Sequence, residues 1–320
     1  MASLSSDSHA HAGSLPVSET TALTRRITGF SVAVAVILVA LKLAAWIASG
    51  SIAMLASLAD SGLDVVASLA TFGAVRWAAA PPDHEHRYGH GKAEAFASLL
   101  QAGLVFASAA LVGQEAVRHL MAPHPLAAEG WAMGVMAVSV ALTFALVQAQ
   151  GRMLRRASSV AVAGDRAHYV VDLASNLAAL VGIGLSLWLQ EPRWDAVAGL
   201  VVAGWLVWGA IQVFRDSSSQ LLDHELPDAD RAEILARMTS DPRVKGVHQL
   251  RTRASGPYVH IQMHADLEAS LSLEQAHEVV IEAENRVLEA FPAADIIIHQ
   301  DPQDRAQAHG GAFAEREHQH

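Results

Sequence analysis

Stretches without charge limit this chain more than any other feature. Gly130 to Gly151 and Ala95 to Gln114 contain no Asp, Glu, Lys or Arg, and Ala196 to Phe214 is similar. Each run can cross a hydrocarbon core, which takes about 20 predominantly apolar residues. Over the 320 residues, 52% are hydrophobic and 17% are charged. Typical soluble chains carry about 25% charged residues, so the composition also points to a polytopic membrane protein. With no cysteine, a disulfide scaffold, a thiolate metal site and a cysteine nucleophile are excluded. Any metal is held by nitrogen and oxygen. The net charge of −10 argues against nucleic acid as a partner.

The hydropathy predicts six α-helical spans, roughly 27–47, 51–78, 94–120, 130–151, 165–189 and 194–215. Ser49-Gly50, Pro81-Pro82, Pro123 with Pro125, the Arg152 to Ser159 stretch and Pro192 separate them. Residues 1–24 are rich in Ser, Ala and Thr, lack the features of a signal peptide, and read as a disordered cytoplasmic leader to a membrane domain over 25–219. With the N-terminus inside, Arg25, Arg26, Arg76, Arg87, Lys92, Arg152, Arg155, Arg156 and Arg215 all fall on the cytoplasmic side. Trp46, Trp188 and Trp194 then lie near the outer ends of their spans, as an aromatic belt requires.

Beyond about residue 220 the hydropathy drops to that of a soluble unit, which the same orientation makes cytoplasmic. Pro227–Thr239 has helical spacing, and Val247–Thr252 and Tyr258–Asp266 alternate around Ser255-Gly256-Pro257. Leu273–Phe291 reads as a long amphipathic helix and Asp295–His299 as a short apolar strand. The expected order over 220–304 is αββαβ, followed by a disordered tail at 305–320.

Asp60 and Asp64 sit inside the second span, where an ionised carboxylate facing lipid costs on the order of 2.5–3.5 kcal/mol. A spacing of four puts both on one helix face, and His168 and Asp172 repeat the arrangement in the fifth span. Three carboxylates and one imidazole supply the four ligands of a tetrahedral divalent metal, and a dication relieves their mutual repulsion. The competing reading is structural Asp residues hydrogen-bonded to Ser57, Ser61, Ser68, Ser175 or Asn176.

After the second span, Asp83, His84, Glu85, His86 and His90 place five potential ligands on a glycine-broken loop, a candidate for a second, more exposed metal site or else a solvated polar loop. Lys92, where the third span begins, reads as a partner for an acid of the cytoplasmic domain. That domain holds His248, His260, His264, His277 and His299, with Asp301 two residues beyond the last. His299 and Asp301 share one side of an extended segment, and the αββαβ order can bring His264 beside them. The grouping suggests a two-ion site bridged by Asp301, against the alternative of separate surface and core histidines.

These motifs together resemble the cation diffusion facilitators, in the bacterial YiiP (FieF) branch. The resemblance rests on Asp60-x-x-x-Asp64, the loop from Asp83 through His86 and His90-Gly91-Lys92 to Glu94, His168-x-x-x-Asp172, Leu222-Asp223 before Leu226-Pro227-Asp228, and His299-Gln300-Asp301-Pro302. It implies a homodimeric, proton-coupled exporter of Zn²⁺ and related ions such as Fe²⁺ or Cd²⁺ in the bacterial inner membrane, with no organic cofactor. Asp60, Asp64, His168 and Asp172 match the transport site, Asp83, His86 and His90 the loop site, and His248, His264, His277, His299 and Asp301 a binuclear cytoplasmic site. Lys92 and Asp223 match a charge interlock near the dimer hinge. His84, Ala167 and His224 depart from the family pattern. A membrane metalloenzyme fits less well, because four ligands close the shell that a catalytic zinc keeps open. A metal sensor leaves the intramembrane carboxylates unexplained.

Overall fold

A computed structural model of the chain describes residues 11–49, 52–121, 130–189 and 193–304. Six long helices come first: α1 (Val17–Ser49), α2 (Ile52–Ala78), α3 (Ala93–Met121), α4 (Gly130–Leu154), α5 (Val160–Leu189) and α6 (Arg193–Leu221). At 1.5 Å per residue each spans about 37–50 Å, enough for a bilayer with part of its headgroup region. Among the described residues, five helices are long and apolar enough to cross a membrane: α1, α2, α3, α4 and α6. The segment expected as the fifth span, α5, is helical throughout but carries Asp165, Arg166, His168 and Asp172 in its first half.

The bundle is built inside out relative to a soluble protein. Ile47, Leu63, Val66, Leu111, Val201 and Trp208 face outward, whereas the interior is small and polar, with Ser31, Ala35, Ser61, Ala67, Ser68, Thr71, Ser98 and Ala102 buried. Lipid solvates the large apolar side chains, so helices gain from close approach and interhelical hydrogen bonds instead. On that basis α3 packs on α6, α1 on α2, and α5 against α3, α4 and α6.

Two boundaries differ from expectation. The leader was expected to be disordered to residue 24, yet α1 begins at Val17 and residues 11–16 are ordered ahead of it. Ala12 packs on the core of the C-terminal domain, Leu15 packs beside Ile27 and Met153, and His11 Nδ1 lies 2.6 Å from Asp230 Oδ1. The composition of this segment hides the apolar contacts that order it. At the other end α6 continues to Leu221, six residues past the expected end of its span. Residues 1–10 and the tail from 305, with His318 and His320, lie outside the described residues, as do the side chains of Trp188 and Trp194.

The C-terminal unit follows the order α7 (Asp228–Met238), β1 (Val244–Ser255), β2 (Tyr258–Leu267), α8 (Leu273–Leu288) and β3 (Ala294–Pro302). β1 and β2 pair antiparallel across the Gly256 turn, and the α8 crossover returns β3 parallel to β2. A Ser272–Gln275 capping box starts α8. Ile234, Met238, Val259, Ile261, Met263, Ala283, Val287 and Phe291 form the core. One extra residue in β1 after His248 is absorbed by a bulge with Gln249 at φ 51°, which leaves His248 opposite His264.

Two glycines join the membrane domain to this unit. Gly91 lies against Ser255 so closely that a Cβ there would collide with the Ser255 carbonyl oxygen. Gly256, at φ +56°, faces the Gly91 carbonyl in return. No side chain larger than hydrogen fits either position without moving backbone.

Candidate metal sites

The first site lies between α2 and α5, inside the bundle. Asp64 and His168 are both about 5% exposed, and His168 Nε2 stands 2.9 Å from Asp64 Oδ1 and 3.9 Å from Asp172 Oδ2. One ligand atom from each of the three lies within 4.8 Å of the others. The i, i+4 spacing of His168 and Asp172 does this on α5, and contact with α2 supplies Asp64. His168 Nδ1 is buried without a hydrogen-bond partner. Asp60, the fourth expected ligand, stands outside the converging group and is exposed. It lies one turn nearer the α2 N-terminus, about 6 Å along the axis. Asp60, Asp64 and Asp172 nevertheless line one cavity of about 190 Å³, with Lys42, Ser57, Ser61, Ser139, Ser175 and Asn176 among its other walls.

That cavity extends from the ligands toward the α1 C-terminus and the α2 N-terminus. On the opposite side, buried polar side chains from five helices close the bundle. Asp165 is fully buried, accepting hydrogen bonds from Gln150 Nε2 at 2.8 Å, Gln101 Nε2 at 3.3 Å and Ser68 Oγ at 3.5 Å. Gln150 also donates to Ser31 and Gln101 to Thr71, while Ser68 Oγ meets the Tyr169 hydroxyl at 2.7 Å. The sequence reading did not single out Asp165, although the same cost of a carboxylate in a membrane helix marks it. Its position at the expected edge of the fifth span concealed it.

The second site is the loop. Asp83 Oδ1 lies 3.3 Å from His86 Nδ1, and Asp83 Oδ2 lies 3.2 Å from His90 Nε2. Their ligand atoms converge within 4.8 Å, and the buried His90 Nδ1 has no hydrogen-bond partner. A hydrogen bond from the His86 backbone N–H holds the Asp83 carboxyl below the usual carboxylate range, so it stays ionised and ready to ligate. His84 is exposed and outside this group.

The third site sits at the end of the C-terminal sheet. Strand register sets His264 opposite His248 on one side and His299 on the other, with Asp301 two residues on. Asp301 Oδ2 lies 2.8 Å from His264 Nδ1 and 3.4 Å from His248 Nε2, and its Oδ1 lies 3.5 Å from His299 Nε2. Burial pushes the Asp301 carboxyl up, but the hydrogen bond to His264 and the neighbouring imidazoles outweigh it and hold the carboxyl below its ordinary value. His248 Nε2 is buried without a hydrogen-bond partner and also faces Asp266 Oδ1 at 3.6 Å. Asp266 escaped the sequence reading because only the register places it beside Asp301. His277 is exposed on α8, outside the converging group, and His260 pairs with Asp295 at 3.2 Å, away from it.

Lys92 and Asp223 meet where the two domains join, with Lys92 Nζ 2.9 Å from Asp223 Oδ1. Lys92 also donates to the Leu221 carbonyl, and Asp223 takes a second contact at 3.2 Å from Arg253.

Two family models match the chain. Residues 30–222 match the cation efflux transmembrane domain, and residues 226–303 match the cytoplasmic domain of cation efflux proteins. The cation-efflux pump FieF of Klebsiella pneumoniae subsp. pneumoniae is 39% identical over 89% of this chain and 94% of its own length. FieF of Salmonella arizonae is 40% identical over 84% of this chain and 90% of its own. A solved structure of CzrB in its Zn form shares 30% identity over 26% of this chain and 97% of that one, with a TM-score of 0.23. From the match across both domains and the FieF-type relatives, the chain belongs to the cation efflux family, the cation diffusion facilitators, as a FieF-like multi-pass membrane protein.

Proposed function

We propose that the chain exports a divalent metal ion, Zn²⁺ with Fe²⁺ or Cd²⁺ as alternatives, across the bacterial inner membrane in exchange for protons. The observation that carries this reading is the convergence of Asp64, His168 and Asp172 at the base of a cavity between membrane helices. Asp60, lining the same cavity, completes four nitrogen and oxygen ligands, a set suited to a borderline dication. Protons and metal compete for the same lone pairs, so a proton gradient drives the ion without another energy source.

All six long helices span the membrane in this reading, with both termini cytoplasmic. The cavity then faces outward, and the Asp165 network closes the cytoplasmic side. Exposure of the site to each side in turn moves the ion. Metal at the cytoplasmic cluster draws two subunits of a homodimer together and biases that equilibrium. The orphaned His248 nitrogen supports metal there, and the orphaned His90 nitrogen supports metal at the loop of Asp83, His86 and His90.

Proteoliposome uptake tests the reading, with metal and proton fluxes recorded together. Asp64→Ala or Asp172→Ala abolishes both fluxes while the protein still folds and dimerises. Wild-type uptake in either variant overturns the assignment.

A further inference from the structure

Lys42 is the single basic residue between Arg26 and Arg76, and it lies within an apolar helix. A lysine near a helix end ordinarily snorkels to the headgroups, carrying its stem along the lipid. This one turns inward. Its Nζ lies 2.6 Å from Ser61 Oγ and 3.2 Å from the Ser57 carbonyl oxygen, both on the face of α2 that carries Asp60 and Asp64. Lys42 lines the transport cavity together with Asp60, Asp64 and Asp172, and among the described lining residues it is the one cation. Its neighbours Leu43 and Ile47 face outward. Hydrogen bonds to α2, rather than exclusion from lipid alone, therefore hold the ammonium in place.

The charge arithmetic gives this lysine a role. Ligands to a metal are deprotonated, so with an ion bound Asp60, Asp64 and Asp172 carry −3 and His168 is neutral, and the ammonium of Lys42, which lines the cavity with the three carboxylates, brings the site to −2. A single dication then makes it neutral. Without Lys42 the same carboxylates would hold a dication with one negative charge left over, a trap that fills readily and empties slowly. We propose that Lys42 is the resident counter-charge of the transport site, weakening the hold on a divalent ion so that it is released and matching the cavity to a charge of two. Lys42 takes no part in ligation. It acts on the ion through the field across the cavity, with Ser61 and Ser57 as the groups that position it. This inference rests on the transport-site reading above.

The test uses the full chain in detergent, in a background where His90→Ala and Asp301→Ala remove the loop and cytoplasmic sites. Cd²⁺ binding is measured by calorimetry, and Cd²⁺ uptake is followed in proteoliposomes. Lys42→Gln keeps a hydrogen-bonding group for Ser61 and removes the charge, whereas Lys42→Arg keeps the charge. Lys42→Gln is expected to tighten Cd²⁺ binding about tenfold and to lower KM and kcat together, since a unit charge acting on a dication across a partly wet cavity is worth at least that factor. Lys42→Arg should stay close to the parent in both. An unchanged or weakened Cd²⁺ affinity in Lys42→Gln, or the same change in affinity, KM and kcat in Lys42→Arg as in Lys42→Gln, overturns the proposal, because the charge then does not set the hold on the ion. Asp64→Ala in the same background is the separate control. If it leaves Cd²⁺ binding intact, the transport-site reading falls, whatever Lys42 does.

Discussion

Reversing the charges at the junction between the domains tests whether Lys92 and Asp223 act on each other. Both side chains are a little over one third exposed, so solvent screens their 2.9 Å contact and limits it to about 0.5 kcal/mol. Lys92→Asp turns this attraction into repulsion between two carboxylates. Asp223→Lys sets two ammonium groups together and also faces Arg253, which lies 3.2 Å from Asp223 in the native pair. The double variant restores the Lys92 attraction but keeps the clash with Arg253. In a double-mutant cycle the Arg253 contribution cancels, since Asp223→Lys and the double variant share it. The cycle retains two attractions and two repulsions, so the coupling should be about 2 kcal/mol, four times the single pair. The double variant itself stays less stable than the parent.

Chemical unfolding of the four proteins in detergent at pH 7 reads this coupling, and a second series near pH 3 supplies the sign. Burial works to raise the Asp223 carboxyl, but the hydrogen bond from Lys92 and the charge of Arg253 prevail and hold it below its ordinary value. A depressed carboxyl contributes stability that is present above the unfolded carboxylate value of about 3.9 and disappears as pH falls through the folded value. The coupling should therefore shrink at the lower pH. Additivity at pH 7 within about 0.3–0.5 kcal/mol would refute the argument, showing that the two charges do not influence each other.

Other consequences can be checked directly. Asp301→Ala removes the carboxylate that touches His248, His264 and His299, and calorimetry on the full chain should show Zn²⁺ binding lost from the cluster in the C-terminal unit with the proposed transport site intact; unchanged stoichiometry means Asp301 is no ligand. Gly91→Ala forces a methyl group into the Ser255 carbonyl, so unfolding should reveal a loss of about 1–3 kcal/mol, and parental stability would show that the junction yields. Replacing His168 by Asp exchanges the single nitrogen of the proposed transport ligands for oxygen, and competition uptake should shift preference from Zn²⁺ and Cd²⁺ toward Mn²⁺; an unaltered rank order places selectivity elsewhere.

Much of the architecture is legible in the sequence because a membrane penalises polarity locally. Charge-free runs, proline breaks and arginine placement are properties of short windows, and they predict where the long helices lie. Asp64, His168 and Asp172 stand out for the same reason, since an acid in an apolar helix requires a partner. The alternating strands and the αββαβ order of the C-terminal unit are likewise local patterns. Contacts between distant segments were decided by the tertiary structure alone. Asp60 belongs to the same motif as Asp64, yet a turn of helix leaves it exposed while Asp64 meets His168. His277 has the right residue type but lies on an outward face, whereas the β1 bulge and strand register bring His248 and Asp266 toward Asp301. The charges of Lys42 and Asp165 are visible in the sequence but their partners are not, because Ser61, Gln101 and Gln150 reach them from other helices. Periodicity determines which face of an element is apolar, but only packing decides which buried polar groups meet.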